Sequence, residues 1–275
     1  MLYLVGTPIG NMGDVSDRAR EVFGFADLVA CEDTRRTGLL LSNLGIKANL
    51  FSYHEHNKAA KGPVLIGKLK EGQNIVLVSD AGMPCISDPG SDLVKLCIEE
   101  DIPVTTVPGP VAAITALVLS GLDTRYYHFE GFIPVPAKER KERLEALRSY
   151  NETIIIYEAP HRLLKTIDDL CEAGFSGSKA AFCRELTKKY EQVVRLQMSE
   201  AKDYFTETPP KGEFVICLEP TSEKDTGETQ DIDIEAMARK FLDEGCSTKE
   251  TAAKLAKLTG KSKKELYSYT LNLIK

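Results

Sequence analysis

The sequence has no tryptophan and no run of apolar residues approaching the roughly 20 that a membrane-spanning helix needs. It begins without the basic segment that opens a secretory signal peptide, so we expect a cytoplasmic protein that does not enter the membrane. The G-x-G-x-x-G fingerprint is absent, as are the C-x-x-C and H-x-x-x-H spacings. We therefore expect no Rossmann-type dinucleotide site and no bound metal.

The seven cysteines are scattered through apolar stretches, which favours buried reduced thiols over a disulfide framework. The formal net charge is −6, so the chain as a whole lacks the basic footprint that nucleic-acid binding usually leaves. Any RNA binding must then use local patches. Basic residues cluster at residues 138–148 and again beyond residue 245. Charge runs of this kind are more often solvated helix faces, and that alternative stays open.

Apolar strands and helical patterns alternate through the first 120 residues. Predicted strands that are apolar throughout fit a parallel sheet covered by helices on both faces, so residues 1–120 are predicted to form an α/β domain. The predicted strands are residues 2–5, 28–31, 75–78 and 104–107, and the predicted helices are residues 16–25, 34–44, 58–70, 91–100 and 111–120.

A second α/β domain is predicted at residues 121–220. Its predicted strands occur consecutively as well as between helices, which indicates a mixed sheet. The strands are residues 153–157, 179–184, 192–197 and 213–218, with helices at residues 137–149 and 161–171.

The end of the chain has a different character. Residues 221–233 are almost without apolar side chains and are predicted to be a linker. Residues 234–275 are predicted to form a small helical module, because capping boxes begin at Ser247 and Ser262 and a glycine-containing turn separates them. The module resembles a helix-turn-helix, and a packing or dimerisation appendage is an equal alternative.

Three glycine- and proline-rich loops follow predicted strands of the first domain. They are residues 6–11 (GTPIGN), 79–90 (SDAGMPCISDPG) and 108–112 (PGPVA). In an open α/β sheet, ligands bind outside the carboxyl ends of the strands, so all three loops can converge on one cleft. Glycine permits close approach of the backbone to a ligand, and proline fixes the loop shape.

These loops belong to an ordered set of motifs. The others are EDTR at 32–35, YHEHN at 53–57, YEAPHR at 157–162 and RELTK at 184–188. The set resembles the ribosomal RNA small subunit methyltransferase I family of the tetrapyrrole methylase superfamily. The resemblance spans residues 1 to about 220, and the helical tail matches the longer members. Met83 departs from the pattern, because the family usually has threonine there.

The resemblance implies the two-domain fold of these methylases and a homodimer that binds S-adenosylmethionine between the two α/β domains. It implies 2′-O-methylation of a cytidine ribose in the decoding region of small-subunit (16S) ribosomal RNA, either free or in the 30S-type subunit. Residue by residue, it suggests cofactor contacts from Pro8, Asp80, Gly82, Met83, Val111, Ala112 and Tyr157.

Methyl transfer to a ribose hydroxyl sets chemical demands of its own. The hydroxyl needs a base to take its proton or a cation to stabilise the developing alkoxide. The candidates near predicted strand ends of the second domain are Glu158, His161, Arg184, Glu185 and Lys188. Structural alternatives are a Glu185–Lys188 salt bridge and a pair between Arg184 and Glu158.

RNA contacts are predicted at two places in the first domain. Arg35, after two carboxylates at a strand-to-helix turn, is a candidate phosphate clamp together with Arg36, and a buried ion pair is the alternative. His54 and His56, two apart on a predicted strand, are expected to face the same side. With Tyr53 and Asn57, they can stack on or hydrogen-bond a single-stranded nucleotide.

Two other functions compete with RNA methylation. The same fold methylates corrin or porphyrin precursors, and the helical tail and the basic helix at residues 137–149 favour RNA over that substrate. A non-enzymatic nucleic-acid-binding regulator is the more distant alternative. Three cofactor-type loops in a large α/β body argue against it.

Overall fold

The computed structural model describes residues 1–221, 234–259 and 262–273. The chain divides into two compact units, Met1–Thr221 and Ser222–Lys275. The predicted linker lies outside the described residues from position 222 onward, and so do residues 260 and 261 of the predicted turn. The boundary expected near residue 120 falls inside the first unit and stays a prediction.

The first sheet of unit 1 contains five strands, β1 (Leu2–Val5), β2 (Leu28–Cys31), β3 (Leu50–Ser52), β4 (Ile75–Val78) and β5 (Val104–Val107). They are all parallel, in the order β3-β2-β4-β1-β5, as their apolar character predicts. The connecting helices are α1 (Asp17–Phe25), α2 (Thr34–Asn43), α3 (Lys58–Lys70), α4 (Ser91–Glu99) and α5 (Ala112–Ser120), with a 3₁₀ turn at Met12–Asp14.

The central strand β4 shows why this sheet needs helices on both faces, because all four of its residues are buried. Ile75 and Leu77 pack on one face with side chains of α3 and α4. Val76 and Val78 pack on the other face with side chains of α1 and α2. The result is a three-layer arrangement in which the loops after β1, β4 and β5 emerge at one edge.

The second sheet contains β6 (Tyr127–Phe132), β7 (Thr153–Glu158), β8 (Lys179–Arg184), β9 (Gln192–Gln197) and β10 (Phe214–Leu218). Its order is β6-β7-β10-β8-β9, and it is mixed, because β6 and β7 are parallel and the other pairs are antiparallel. The helices are α6 (Ala137–Leu147), α7 (Leu163–Leu170) and α8 (Met198–Glu207), with a 3₁₀ turn at Pro160–Arg162 and a π-helical turn at Cys171–Phe175.

Helix α5 precedes the second sheet in sequence but packs against it. Ala113, Ala116 and Leu117 lie in one core cluster with residues of β7, β8 and β10. Helices α6, α7 and α8 contribute to the core on the opposite face, where Ile154 and Ile156 are fully buried. The second sheet is therefore closed on one side by a helix that the sequence assigns to the first domain.

Strands β3 and β6 and helix α8 have no counterpart among the predicted elements, and the strand predicted to carry His54 and His56 is wrong. Strand β3 ends at Ser52, and His54 to Asn57 form a turn that leads into α3. His54 and His56 therefore do not share a strand face, although their rings lie 6.0 Å apart. The α/β fold class, with a parallel-rich first sheet and a mixed second sheet, is confirmed.

The second unit contains the helices α9 (Ile234–Asp243), α10 (Thr248–Thr259) and α11 (Lys263–Leu273) in the part of the chain that the structure describes. Its small core includes Ala238, Ala252, Leu255 and Leu266. The predicted capping box before α10 is present, because the Ser247 amide donates to the Glu250 carboxylate at 2.9 Å and the Glu250 amide donates to the Ser247 hydroxyl at 3.4 Å.

No helix within residues 1–221, 234–259 and 262–273 is both long and apolar enough to cross a membrane.

Candidate functional site

The loops after β1, β4 and β5 meet at the carboxyl edge of the first sheet. The amide of Thr7 donates to the Gly82 carbonyl at 2.9 Å, and the Gly82 amide donates back at 3.0 Å. Gly82 reaches this position with φ +82°, in the left-handed region that favours glycine. Gly6 and Gly109 approach so closely that a Cβ on Gly6 would lie 2.5 Å from the Gly109 Cα. The predicted convergence of the three loops is therefore observed.

A cavity of about 360 Å³ lies beside these loops and reaches the second sheet. Six of the seven predicted cofactor residues line it, namely Asp80, Gly82, Met83, Val111, Ala112 and Tyr157, and Pro8 does not. Its other lining residues include Ile9, Arg36, Ile86, Asp88, Phe132, Cys183, Leu186 and Val215.

Tyr157, near the end of β7, connects the second sheet to the N-terminus of α5. Its hydroxyl accepts a hydrogen bond from the Ala113 amide at 3.1 Å, so the hydroxyl hydrogen is left for another acceptor. Edge-to-face contacts with Phe129 and Phe132, at 5.0 and 5.6 Å between ring centroids, fix the ring. Burial raises the pKa of the phenol, which favours its neutral form.

Asp80 lies where the carboxyl ends of β2 and β4 adjoin. Its Oδ1 accepts the Asp33 amide at 3.1 Å, and its Oδ2 lies 3.3 Å from Nη1 of Arg36. Glu32 is close by, and burial together with the Asp80 charge raises the pKa of the Glu32 carboxyl. One wall of the cavity is therefore acidic and is only partly balanced by the exposed Arg36 side chain.

Glu158 lines the cavity, and its carboxylate is engaged by neighbouring protein groups. Its side chain is buried, and its carboxylate accepts hydrogen bonds from the Ala159 amide at 2.9 Å and from the Thr166 hydroxyl. Arg162 Nε lies 3.3 Å from the same carboxylate. These partners contact both carboxylate oxygens, and the catalytic role of Glu158 stays a prediction. The suggested pair between Glu158 and Arg184 is wrong, since Arg184 Nε donates to the Lys211 carbonyl at 2.7 Å.

The segment after β8 contains the predicted Glu185–Lys188 salt bridge. Lys188 Nζ lies 3.0 Å from Glu185 Oε1 and 2.9 Å from Glu213 Oε2. Burial lowers the pKa of Lys188, but hydrogen bonds to Glu213 and Glu185 outweigh it and the net pKa is raised. Glu185 and Thr187 adopt φ values of +50° and +64°, which are strained for side chains other than glycine.

This strained segment presses against the first loop. A Cβ on Gly10 would lie 2.4 Å from Cγ of Lys188 and 2.7 Å from the Thr187 hydroxyl oxygen. Glu213, which pairs with Lys188, lines the cavity. The ammonium of Lys188 is therefore held next to the cavity wall.

The residues predicted to contact RNA separate into different environments. Arg35 pairs with Asp33 at 2.7 Å and is 89 % exposed, while its neighbour Arg36 lines the cavity. Asp33 also caps α2, because its carboxylate accepts the Arg35 amide at 2.8 Å. Arg35 is thus accessible to a phosphate. Its ion pair with Asp33 is exposed rather than buried, so the alternative of a buried ion pair is wrong for Arg35.

Tyr53 cannot stack on a nucleotide in this structure. It is 1 % exposed, and its hydroxyl donates to Asp92 Oδ2 at 2.7 Å. Asn57 is also engaged locally, since its Oδ1 accepts the His54 amide at 2.9 Å and its Nδ2 donates to the Ser52 carbonyl at 3.2 Å. These contacts stabilise the turn that contains His54. The Nδ1 atom of His54 is buried and has no hydrogen-bond partner among the described residues.

Sequence reasoning missed the cavity wall formed by the second sheet and one acidic group of the loop at 79–90. Cys183 of β8, Leu186 just after β8 and Val215 of β10 line the cavity, and an apolar strand gives no sign of a ligand. Asp88 lies in the SDPG end of the loop, and its position between the two prolines of that loop, Pro84 and Pro89, was a usable signal. Among the described residues, no group of His, Cys, Asp and Glu is placed to hold a metal ion.

Comparison with known proteins agrees with this geometry. Residues 1–202 match the family model for Tetrapyrrole (Corrin/Porphyrin) Methylases. A Synechocystis protein named ribosomal RNA small subunit methyltransferase I is 42 % identical over 99 % of this chain and 98 % of its own. An Escherichia coli O157:H7 protein of the same name is 41 % identical over 98 % of this chain and 94 % of its own.

Solved structures with the same fold are more distant in sequence. Uroporphyrin-III C-methyl transferase from Thermus thermophilus, complexed with S-adenyl homocysteine, superposes with a TM-score of 0.57 at 17 % identity, covering 79 % of this chain and 96 % of that one. Diphthine synthase gives a TM-score of 0.61 at 13 % identity, covering 79 % and 89 % of the two chains. At these identities the likeness shows the fold alone.

Proposed function

Because the chain belongs to the tetrapyrrole methylases and, within them, to the ribosomal RNA small subunit methyltransferase I family, we propose that it methylates a ribose 2′-hydroxyl of small-subunit ribosomal RNA. The methyl donor is S-adenosylmethionine, and the acceptor is a cytidine of the decoding region. The observation that carries the proposal is the cavity itself, where three loops of the first sheet meet Tyr157 of the second.

The residues of this cavity fit the methyl donor. A sulfonium nucleoside is cationic and has a flat heterocycle, so it needs both acidic and apolar walls. The acidic wall includes Asp80, and the apolar wall includes Ile9, Val111 and Val215. The close pairing of Thr7 with Gly82 also brings backbone rather than side chain to the cavity, which permits close approach of a ligand.

When bound, S-adenosylmethionine supplies an electrophilic methyl group on a positively charged sulfur. The chain has to hold the acceptor oxygen in line with that carbon and sulfur, and such alignment provides much of the acceleration. Tyr157 is held by its contacts with Ala113 and two phenylalanine rings, so its hydroxyl oxygen has a fixed place beside the cavity. Gly82, Met83, Val111 and Ala112 are the proposed cofactor contacts on the opposite wall, with Pro8 supporting the first loop.

RNA approaches the cavity past basic and polar side chains in this proposal. Arg35 and Arg36 are exposed at 89 % and 70 %, so both can meet phosphate oxygens. His54 belongs to the adjoining turn, which Asn57 holds in place. On the second sheet, Arg184, Glu185 and Lys188 form the opposite rim, where the Lys188 cation is suited to stabilise developing negative charge.

We further propose that the protein works as a homodimer in the cytoplasm, where small ribosomal subunits are found. Ile86 and Phe132 line the cavity and remain 42 % and 53 % exposed. Exposed apolar side chains at the mouth of a site favour a protein–protein interface, and we propose a second copy of this chain as the partner. Sedimentation analysis of Phe132→Glu against the wild type tests this, since an unchanged dimer mass would argue against this surface.

The deciding experiment for the activity uses an isotopically labelled methyl donor. The protein is incubated with 30S-type particles, with free small-subunit RNA and with uroporphyrinogen, and the label is located by ribose-methylation mapping. Label on a cytidine 2′-oxygen supports the proposal. Label on the tetrapyrrole alone favours the corrin and porphyrin branch of the family, and binding of RNA without any transfer would indicate a regulator.

A further inference from the structure

Asp88 lies at the point where the loop at 79–90 reaches the second sheet. It lines the cavity together with Asp80 and Tyr157. The preceding residue, Ser87, abuts the bulge in β6, since a Cβ on Gly131 would lie 3.0 Å from the Ser87 hydroxyl oxygen. The carboxylate of Asp88 is also near enough to Tyr157 to raise the pKa of that phenol, in addition to the larger effect of burial. Asp88 therefore faces the residue that closes the cavity from the other sheet.

The backbone around Asp88 is strained. Cys85 and Ser87 adopt φ values of +70° and +59°, in the left-handed region that side chains other than glycine rarely occupy. Gly90 anchors the end of the loop with φ +131°, and a Cβ there would lie 2.5 Å from Leu77 Cδ2 of β4. Strain of this kind persists where surrounding structure fixes it, and it is concentrated at functional sites. The surrounding structure therefore also fixes the position of the Asp88 carboxylate in the cavity.

The other carboxylates of the site already have cationic partners. Asp80 lies against Arg36, and Glu185 lies against Lys188. Glu158 is held by Arg162 and the neighbouring hydrogen bonds described above.

The charged groups that act on Asp88 are carboxylates rather than cations. They are Glu32, directly after β2, and Asp80, in the same loop as Asp88. Burial and the Glu32 charge, with a smaller contribution from Asp80, raise the pKa of Asp88 to about 6, against a hydrogen bond from Ser79. A base works best when its pKa is close to the working pH, because it is then deprotonated and still basic.

We propose that Asp88 is the catalytic base that accepts the proton of the ribose 2′-hydroxyl, an assignment that rests on the proposed function. As the oxygen forms its bond to the methyl carbon, the bond between carbon and sulfur breaks and its electron pair stays on the sulfur, which becomes neutral. The hydroxyl proton passes to the Asp88 carboxylate and from there to water. One proton is thus released for each methyl group transferred.

The test is Asp88→Asn, which keeps the shape of the side chain and removes its basicity. Single-turnover transfer from a labelled donor to 30S-type particles is measured from pH 5 to pH 8 with both substrates saturating. We expect the rate constant to fall by about 10²- to 10³-fold, the usual contribution of a positioned base. The wild-type rate should decline as the pH falls through the pKa of Asp88, which the bound cationic donor lowers from about 6 in the free protein, and the residual rate of the variant should lack that step. Asp101→Asn, at an exposed turn after α4, is the matched control and should keep the wild-type rate and pH profile.

A readout apart from catalysis accompanies these rates. Calorimetric titration of S-adenosylmethionine should give similar affinities for the wild type and Asp88→Asn, and thermal unfolding should be unchanged. A potentiometric difference titration of the two proteins should show one proton bound near pH 6 in the wild type only.

The outcomes are distinguishable. If the wild type transfers no methyl group to a ribose, the proposed function is refuted and the assignment of Asp88 with it. If the wild type is active and Asp88→Asn retains its rate and pH profile, only the assignment is overturned. Weakened cofactor binding with a full rate at saturation would overturn it as well, because Asp88 would then be a cofactor ligand.

Discussion

Replacing Gly109 by alanine tests whether the close approach of the first and third loops builds the cofactor site. A Cβ at Gly109 would lie 2.7 Å from Gly6 Cα and 2.9 Å from Gly6 C. Carbon atoms prefer separations of about 3.5 to 4.0 Å, so one backbone must move by about 1 Å. Overpacking costs about 1 to 3 kcal/mol, and we expect the upper end because both contacting groups are main chain rather than flexible side chain.

A loss of about 3 kcal/mol lowers the melting temperature by roughly 6 to 12 °C in a unit of this size. Affinity for S-adenosylmethionine should fall too, because the displaced loop carries Val111 and Ala112. Differential scanning calorimetry and titration calorimetry measure the two effects. Gly67→Ala is the control, since nothing lies within 4 Å of its added Cβ and alanine favours the interior of α3. Equal melting temperatures and affinities for the two variants would refute the reasoning.

Three further outcomes follow from the structure. Asp80→Ala should weaken S-adenosylmethionine binding in titration calorimetry without unfolding the protein, because Asp80 lines the cavity, and unchanged affinity would contradict its role. Burial raises the pKa of Glu130, but hydrogen bonds from Arg143 and His128 outweigh it and the net pKa lies below the ordinary 4.5. Glu130→Gln should therefore cost about 3 kcal/mol in denaturant unfolding at neutral pH, a difference that is present above pH 4.5 and shrinks as the pH falls below it. Removing residues 222–275 deletes seven lysines beyond position 245, so RNA affinity at matched salt should drop while cofactor affinity stays; an unaltered RNA dissociation constant would reject an RNA role for this unit.

The elements that the sequence predicts well are those with strong periodicity and clear ends. Strand β4 is apolar throughout, and the capping box at Ser247 marks the start of α10. Strand β6 escaped prediction because its alternation is interrupted by a bulge between Phe129 and Gly131. Helix α8 begins at a capping box formed by Gln197 and Glu200, and glutamine is not a usual first member of that motif.

The site was predictable where its geometry follows from strand ends, and less so where it depends on side-chain partners. The three loops had to meet because parallel strands end at one edge. Nothing in the local sequence shows that Tyr53 turns inward to Asp92, or that Glu158 is satisfied by Thr166 and Arg162. Those contacts join segments that are 4 to 39 residues apart, so only the folded chain reveals which carboxylate is left for chemistry.

The placement of α5 has a consequence for how this chain can be divided. Helix α5 leaves the first sheet and fills the face of the second that β7, β8 and β10 expose to it. Breaking the peptide chain between residues 121 and 126 would give two fragments with complementary apolar surfaces, one bearing an uncovered helix and the other an uncovered sheet. Each fragment alone would be prone to aggregate, whereas the two expressed together would reassociate without a covalent link.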